Sequence, residues 1–217
     1  MNEGGMNMNH MEQPITTLFL DIGGVLLTSG WDHNSRQLAA TNFNIDQVEM
    51  EDRHHLTSGL FDAGLLTMDE YLNRVVFHQK RNFSKEDFKA FMLEQSMPIE
   101  GSIEFFKSLK HEHSLKVIAV NNEARELNDY RIKKYNLESL FDAFVSSCYV
   151  HRSKPDLQIW HLACDIAQVS PPNILYVDDR LLFVEVARSL GFKGYHFQRL
   201  QDAQLFMQSI NFSITNV

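Results

Sequence analysis

An α/β fold, with a parallel sheet core and an inserted bundle of helices, follows from three observations. Short apolar runs alternate with helical segments over residues 97–197. An isolated apolar run near the N-terminus, Thr17-Leu18-Phe19-Leu20, ends on Asp21 and leads into Ile22-Gly23-Gly24-Val25-Leu26-Leu27. Between these regions strand signals vanish, and helical spacing and capping residues take over.

The first run, residues 15–20, shows little polar alternation, as expected for a central parallel strand covered on both faces. Residues 34–42 read as a short helix, and Asp46 can cap a second running through Val48, Met50 and Arg53 towards Leu56. Thr67-Met68-Asp69-Glu70 has the form of a capping box opening a helix through Tyr71, Leu72, Val75 and Val76. Ser84-Lys85-Glu86-Asp87 opens a fourth, with Phe88, Phe91 and Met92 at helical spacing. Four helices in a row between two α/β regions read as a small inserted bundle.

After Met97-Pro98 the alternation resumes. Ile103, Phe105, Phe106 and Leu109 mark a helix, residues 115–120 a strand and residues 123–135 a helix. Residues 143–147 read as a strand. Pro155 suits the first turn of the next helix. Residues 174–177 form a strand, 181–190 a helix stopped by Gly191, and 194–197 a short last strand. Such β-α units imply right-handed crossovers and a parallel sheet. The expected organisation is a disordered tail over 1–14, a core from 15–30 and 97–217, and a helical cap over 31–96.

At 217 residues, with 44% hydrophobic and 22% charged residues, the chain has the composition of an ordinary globular protein. A net charge of -8 argues against nucleic acid as the main partner, and no segment has the length of a membrane span. The polar first ten residues lack a signal peptide's basic start, so the expected location is cytoplasmic. Cys148, in a strand-like stretch, and Cys164, in a helix-like one, read as buried thiols of a reducing compartment.

The chemistry lies at the strand ends. A carboxylate at the end of a buried strand is costly to desolvate unless something compensates it. Asp21 is one, and Ile174-Leu175-Tyr176-Val177-Asp178-Asp179 repeats the arrangement far downstream. Two such strands suggest a shared divalent-cation site at the sheet edge where α/β proteins bind ligands.

Asp21, Asn121-Asn122, Lys154-Pro155 and Asp178-Asp179, in that order, resemble the haloacid dehalogenase-like (HAD) hydrolase superfamily, most of whose members are Mg-dependent phosphatases. The resemblance spans residues 15–197, implies a Rossmann-like core, and likens the inserted helices to the cap of one subgroup. It implies that Asp21 attacks phosphorus and forms an aspartyl-phosphate. The Gly23 carbonyl and the Asp178 carboxylate would hold Mg²⁺ beside Asp21, and Asp179 would orient metal-bound water. Lys154 would hold nucleophile and phosphate, and Asn121 with Asn122 would meet the phosphoryl oxygens.

The implied function is hydrolysis of a small phosphorylated metabolite. Alternatives are a non-catalytic or weakly active phosphate-binding protein, or a 2-haloacid dehalogenase, which needs no metal.

The chain departs from the family at Gly23, where active phosphatases commonly carry a second Asp as general acid and base. That loss forfeits roughly 10²–10⁴-fold in rate. Glu123 is the replacement the sequence nominates. Phe183 stands where the family often has Asn. His54-His55 and His111/His113 read as solvent-side or packing residues, and Trp31 as packing between bundle and core. Phe88 and Phe91 read as bundle core.

Overall fold

The computed structural model of the protein describes residues 13–212. Residues 1–12 of the expected tail lie outside this range. β1 (Thr17–Leu20) is followed by four helices, α1 (His33–Asn42), α2 (Gln47–Asp62), α3 (Met68–Val75) and α4 (Lys85–Glu94). Next come α5 (Ser102–His113), β2 (Lys116–Asn121), α6 (Arg125–Lys134), β3 (Ala143–Ser146) and the one-turn α7 (Ser147–Val150). The chain ends with α8 (Leu157–Ala167), β4 (Ile174–Asp178), α9 (Leu181–Ser189), β5 (Lys193–His196) and α10 (Leu200–Gln208).

The five strands form one parallel sheet in the order β3-β2-β1-β4-β5. Alternate residues of each strand point to opposite faces, which divides the core in two. Leu18 and Leu20 of β1, with Val117, Ala119, Leu175 and Val177, pack against α5 and α10. Phe19, with Ile118, Val120 and Tyr176, packs against Ile159, Trp160 and Ala163 of α8 and Val184 and Ala187 of α9. The apolar continuity of β1 therefore reflects burial on both faces, as read from the sequence.

Helices α1 to α4 have a separate core built around Tyr71, Leu72, Val75, Phe88 and Met92. Their starts are set locally. The side chains of Asp32, Asp46, Thr67 and Ser84 each accept a hydrogen bond from the backbone N–H three residues on, and Thr67 and Glu70 complete the capping box. Phe88 is fully buried there, and Phe91 packs at the margin. The same core takes in Ala124 and Leu127, so the helical unit rests on the start of α6.

The chain crosses between sheet and helical unit twice, and the crossings pair. Thr28 N–H donates to Met97 O at 2.7 Å, and Met97 N–H donates to Thr28 Oγ1 at 3.0 Å.

Three local readings change. Helix α2 runs to Asp62 rather than ending near Leu56. Pro155 precedes the N-cap, Asp156, and so lies outside the first turn of α8. Cys148 sits in α7 rather than in a strand, because β3 turns directly into a helical turn at Ser147. Both cysteines are free. No helix among the described residues is long and apolar enough to cross a membrane.

Candidate active site

β1 and β4 are neighbours in the sheet, yet the chain reaches β2 from one and leaves for β5 from the other. Their carboxyl ends flank the point where connections diverge, the place where open α/β sheets leave a crevice. Leu20 pairs with Val177, so Asp21 and Asp178 emerge side by side, and Asp21 N–H donates to Val177 O at 2.9 Å. Asp21, Asp178 and Asp179 each offer an oxygen within 4.8 Å of the other two.

Lys154 holds this cluster together. Its Nζ lies 2.6 Å from Asp178 Oδ2 and 3.2 Å from Asp21 Oδ2. Asn122 places it: the Asn122 side chain accepts from Lys154 N–H at 2.8 Å and donates to Lys154 O at 2.9 Å. The Phe183 ring centroid is 5.1 Å from Nζ, so the aromatic residue in the usual place of Asn gives the ammonium a π-face.

One ammonium does not balance three carboxylates. Burial raises the Asp21 carboxyl well above the ordinary range. Lys154 pulls it back, and Asp178 and Asp179 push it up further. Burial also raises Asp179, with Asp178 adding to the effect. Hard oxygen donors with excess negative charge are the donor set that suits Mg²⁺, so the residues present fit that ion.

A cavity of about 430 Å³ opens over this edge, between the sheet and the helical unit. Asp21, Gly23, Asn122, Lys154 and Asp179 line it from the sheet side. From the helical side come Arg36, His54, His55 and Asp62, with Trp31 at the crossing. His54, half-buried, and His55, solvent-exposed as expected, both border the cavity. The His54 imidazole, 2.8 Å from Tyr71 Oη, is driven down to about 4 by burial, with Arg36 adding to the shift. Trp31 is buried in the core of the helical unit, its ring 5.7 Å from that of Phe88, and donates from Nε1 to Tyr71 Oη at 2.8 Å. Arg36 is paired with Glu51 at 2.8 Å.

One of the expected roles does not match the placement. Asn121 is buried and does not border the cavity. Its amide donates to Asn128 Oδ1 at 3.0 Å and accepts from Ser146 Oγ at 2.7 Å, closing a network beneath the edge. A β-strand sends successive side chains to opposite faces, so Asn121 turned inwards leaves Asn122 to reach the cavity. The acidic pair divides likewise. Asp178 is fully buried and receives Lys154, the Tyr176 hydroxyl and Arg180 N–H, whereas Asp179 is half-buried and lines the cavity.

Glu123 reaches the cavity wall, but its carboxylate is engaged. Arg131 Nη1 binds Oε2, and Ala124 N–H donates to Oε1 at 3.1 Å. Burial raises this carboxyl, and Arg131 opposes the rise. Arg131 also donates to Ser96 Oγ at 2.9 Å and Ser29 O at 3.0 Å, so one guanidinium binds both crossings. At Gly23 a Cβ would meet Ser29 Cα at 3.6 Å and Arg131 Nη1 at 3.7 Å, ordinary contacts. Crowding therefore does not impose glycine there.

Sequence reasoning missed Arg131 and Asp62. Both lie mid-chain on helices without a motif, and Asp62 falls beyond the expected end of α2.

The family model described as haloacid dehalogenase-like hydrolase matches residues 35–195. The chain is similar to a phosphorylated carbohydrates phosphatase of Thermotoga maritima, 28% identical over 125 residues. That match takes in 58% of this chain and 53% of the relative, so the aligned part spans about half the length of that protein. The fold is similar to that of a HAD family enzyme from Bacteroides thetaiotaomicron, solved in complex with magnesium and inorganic phosphate. The TM-score is 0.73 at 19% identity, covering 88% of this chain and 99% of that one. It is also similar to L-2-haloacid dehalogenase from Xanthobacter autotrophicus, with a TM-score of 0.60 at 16% identity, covering 90% and 84%. At such identities the two structures speak for the fold alone. The matched span and the shared five-stranded architecture together establish that this chain belongs to the haloacid dehalogenase-like hydrolase family.

Proposed function

We propose that the protein is a magnesium-dependent phosphatase of small phosphomonoesters that works through an aspartyl-phosphate on Asp21. The observation that carries the reading is the cluster of Asp21, Asp178, Asp179 and Lys154 at the edge of the cavity. The phosphatase name of the Thermotoga maritima relative and the magnesium and phosphate bound by the Bacteroides enzyme support it.

Asp21 is the nucleophile: a carboxylate oxygen attacks phosphorus in line, and the ester P–O bond breaks. Lys154 holds that carboxylate in place and neutralises charge on the transferring group. Asp179, Asp178 and the Gly23 carbonyl, with Asp21, would hold Mg²⁺. When bound, the ion supplies electrostatic stabilisation of the phosphoryl oxygens. Asn122 fixes Lys154, and Asn121 supports the edge from below. The helical unit over residues 31–96 serves as a cap that excludes water and selects the leaving group. Free thiols at Cys148 and Cys164 fit a cytoplasmic setting.

The test is phosphate release from a panel of phosphorylated metabolites with Mg²⁺, beside Asp21→Asn. Loss of activity in the variant and with EDTA supports the scheme. Full activity in Asp21→Asn sinks it, and EDTA-resistant release of halide from 2-haloacids would transfer the same nucleophile to carbon–halogen chemistry. Tight binding of a phosphate analogue without any turnover would mark a binding protein.

A further inference from the structure

The phosphatase reading leaves one requirement unmet, a group that protonates the leaving oxygen and then activates water. Gly23 cannot supply it. The carboxyl groups that line the cavity are those of Asp21, Asp32, Asp62, Glu123 and Asp179. Asp21 and Asp179 belong to the acidic cluster. Asp32 caps α1, accepting from Ser35 N–H at 2.8 Å. Glu123 is held by Arg131. Asp62 remains, and among the described residues its carboxyl has no hydrogen bond or ion pair.

Asp62 is the last residue of α2, a sixteen-residue helix. A helix C-terminus carries partial negative charge, so a carboxylate there is disfavoured unless it has another use. The residue is nonetheless fixed to the sheet domain. Ser147 Oγ donates to Asp62 O at 2.5 Å and accepts from Glu123 N–H at 2.9 Å. His151 Nδ1 lies 2.7 Å from Ala63 O. Gly64 (φ +67°) packs so closely that a Cβ would come within 2.4 Å of Cys148 O. The carboxyl is thus borne by the helical unit and anchored beside the loop that carries Asn122 and Glu123.

We propose that Asp62 is the general acid and base of this enzyme, delivered from the helical unit in place of the missing side chain at position 23; this rests on the phosphatase reading above. In the first half-reaction an Asp21 oxygen bonds to phosphorus as the ester P–O bond breaks. The proton of the Asp62 carboxyl passes to the departing oxygen, which leaves as an alcohol. In the second, Asp62, now a carboxylate, takes a proton from water as the water oxygen bonds to phosphorus. The Asp21–phosphorus bond breaks, phosphate departs, and Asp62 is again protonated.

The electrostatics suit both halves. Burial raises the Asp62 carboxyl to about 7, and the nearby Glu123 carboxylate adds to the rise. Arg180, Arg36 and Arg131 oppose it. His54 and His55, on the same helix, also face the cavity. A group that titrates near neutrality can both give and take the proton.

The test compares wild type with Asp62→Asn, Glu123→Gln and Asp21→Asn, all with Mg²⁺, on p-nitrophenyl phosphate and on glycerol phosphate. The alkoxide leaving group needs a proton, whereas p-nitrophenolate does not. In Asp62→Asn, turnover of glycerol phosphate should fall roughly 10²–10⁴-fold. With p-nitrophenyl phosphate the same variant should release about one equivalent of nitrophenolate in a burst and then stall, because water is no longer activated. Equal losses on both esters without a burst, or rates like wild type, overturn the proposal. A burst in Glu123→Gln instead assigns the role to Glu123 and also overturns it. If wild type releases no phosphate, or Asp21→Asn is fully active, the phosphatase reading itself fails, and the assignment of Asp62 goes with it.

Discussion

Lys154 and Asp178 form an ion pair sealed from solvent, with Nζ 2.6 Å from Oδ2 and the two side chains 1% and 0% exposed. Burial by itself would lower the lysine's pKa. Asp21 and Asp178 outweigh it and hold the group above its ordinary value, so it stays charged. Such a pair is no great source of net stability, but losing one partner strands the other charge. Lys154→Met should therefore cost about 3–5 kcal/mol in metal-free urea unfolding. Part of the loss should return with Mg²⁺. Equal midpoints for variant and wild type without metal would contradict the assignment of Lys154 as the cluster's counter-charge.

Magnesium should stabilise the wild-type protein by linkage, about 2.7 kcal/mol at a concentration one hundred times the dissociation constant. Asp179→Asn should abolish most of that response. Gly24→Ala should weaken it too. Gly24 sits at φ +73°, and a Cβ there would lie 2.2 Å from the Asp179 carboxyl carbon, so the carboxylate must move. Thermal melts with and without the ion provide the readout. An unchanged magnesium response in Asp179→Asn would remove that residue from the metal site.

Arg131 is buried against Glu123 while binding Ser29 and Ser96 on the two crossings. Arg131→Met should destabilise the fold by about 3–5 kcal/mol, because Glu123 is left buried without its partner. Glu123→Leu in the same chain should recover much of that loss. A double variant no more stable than Arg131→Met would show that the crossings, rather than the stranded carboxylate, account for the damage.

The raised Asp62 carboxyl has a consequence for stability that does not depend on activity. A carboxyl whose folded value lies near 7, against 3.8 unfolded, favours the folded state below about pH 4 and loses that contribution as pH rises through 7. Asn mimics the protonated form at every pH. Asp62→Asn should thus melt above wild type at pH 8, and the difference should shrink towards pH 5. Parallel melting curves across this range would mean that the Asp62 carboxyl is not raised.

How much of this was legible beforehand differs from residue to residue. β1 was readable because a strand covered on both faces must be apolar throughout, and Leu18, Phe19 and Leu20 are fully buried. The starts of α1 to α4 were partly readable because a capping side chain bonds to an N–H only three residues away. The reach of α2 was not, since Gly59 lies within the helix without stopping it and the end is set by docking on Ser147 and His151. Asn121 and Asn122 could not be told apart in the chain, because strand polarity places one inwards and the other at the cavity.

Chain order was enough to establish a parallel sheet with acidic residues at the tips of two strands, because periodicity and capping act over a few neighbours. It was also enough to nominate Asp21, Lys154 and Asp179 for one site. Packing settled which carboxyls remain available. Glu123 is engaged by an arginine eight residues away on the next helix, and Asp62 is brought to the same cavity from a helix that follows β1. Contacts between distant segments depend on how the helical unit seats against the sheet, and no spacing within either unit encodes that fit.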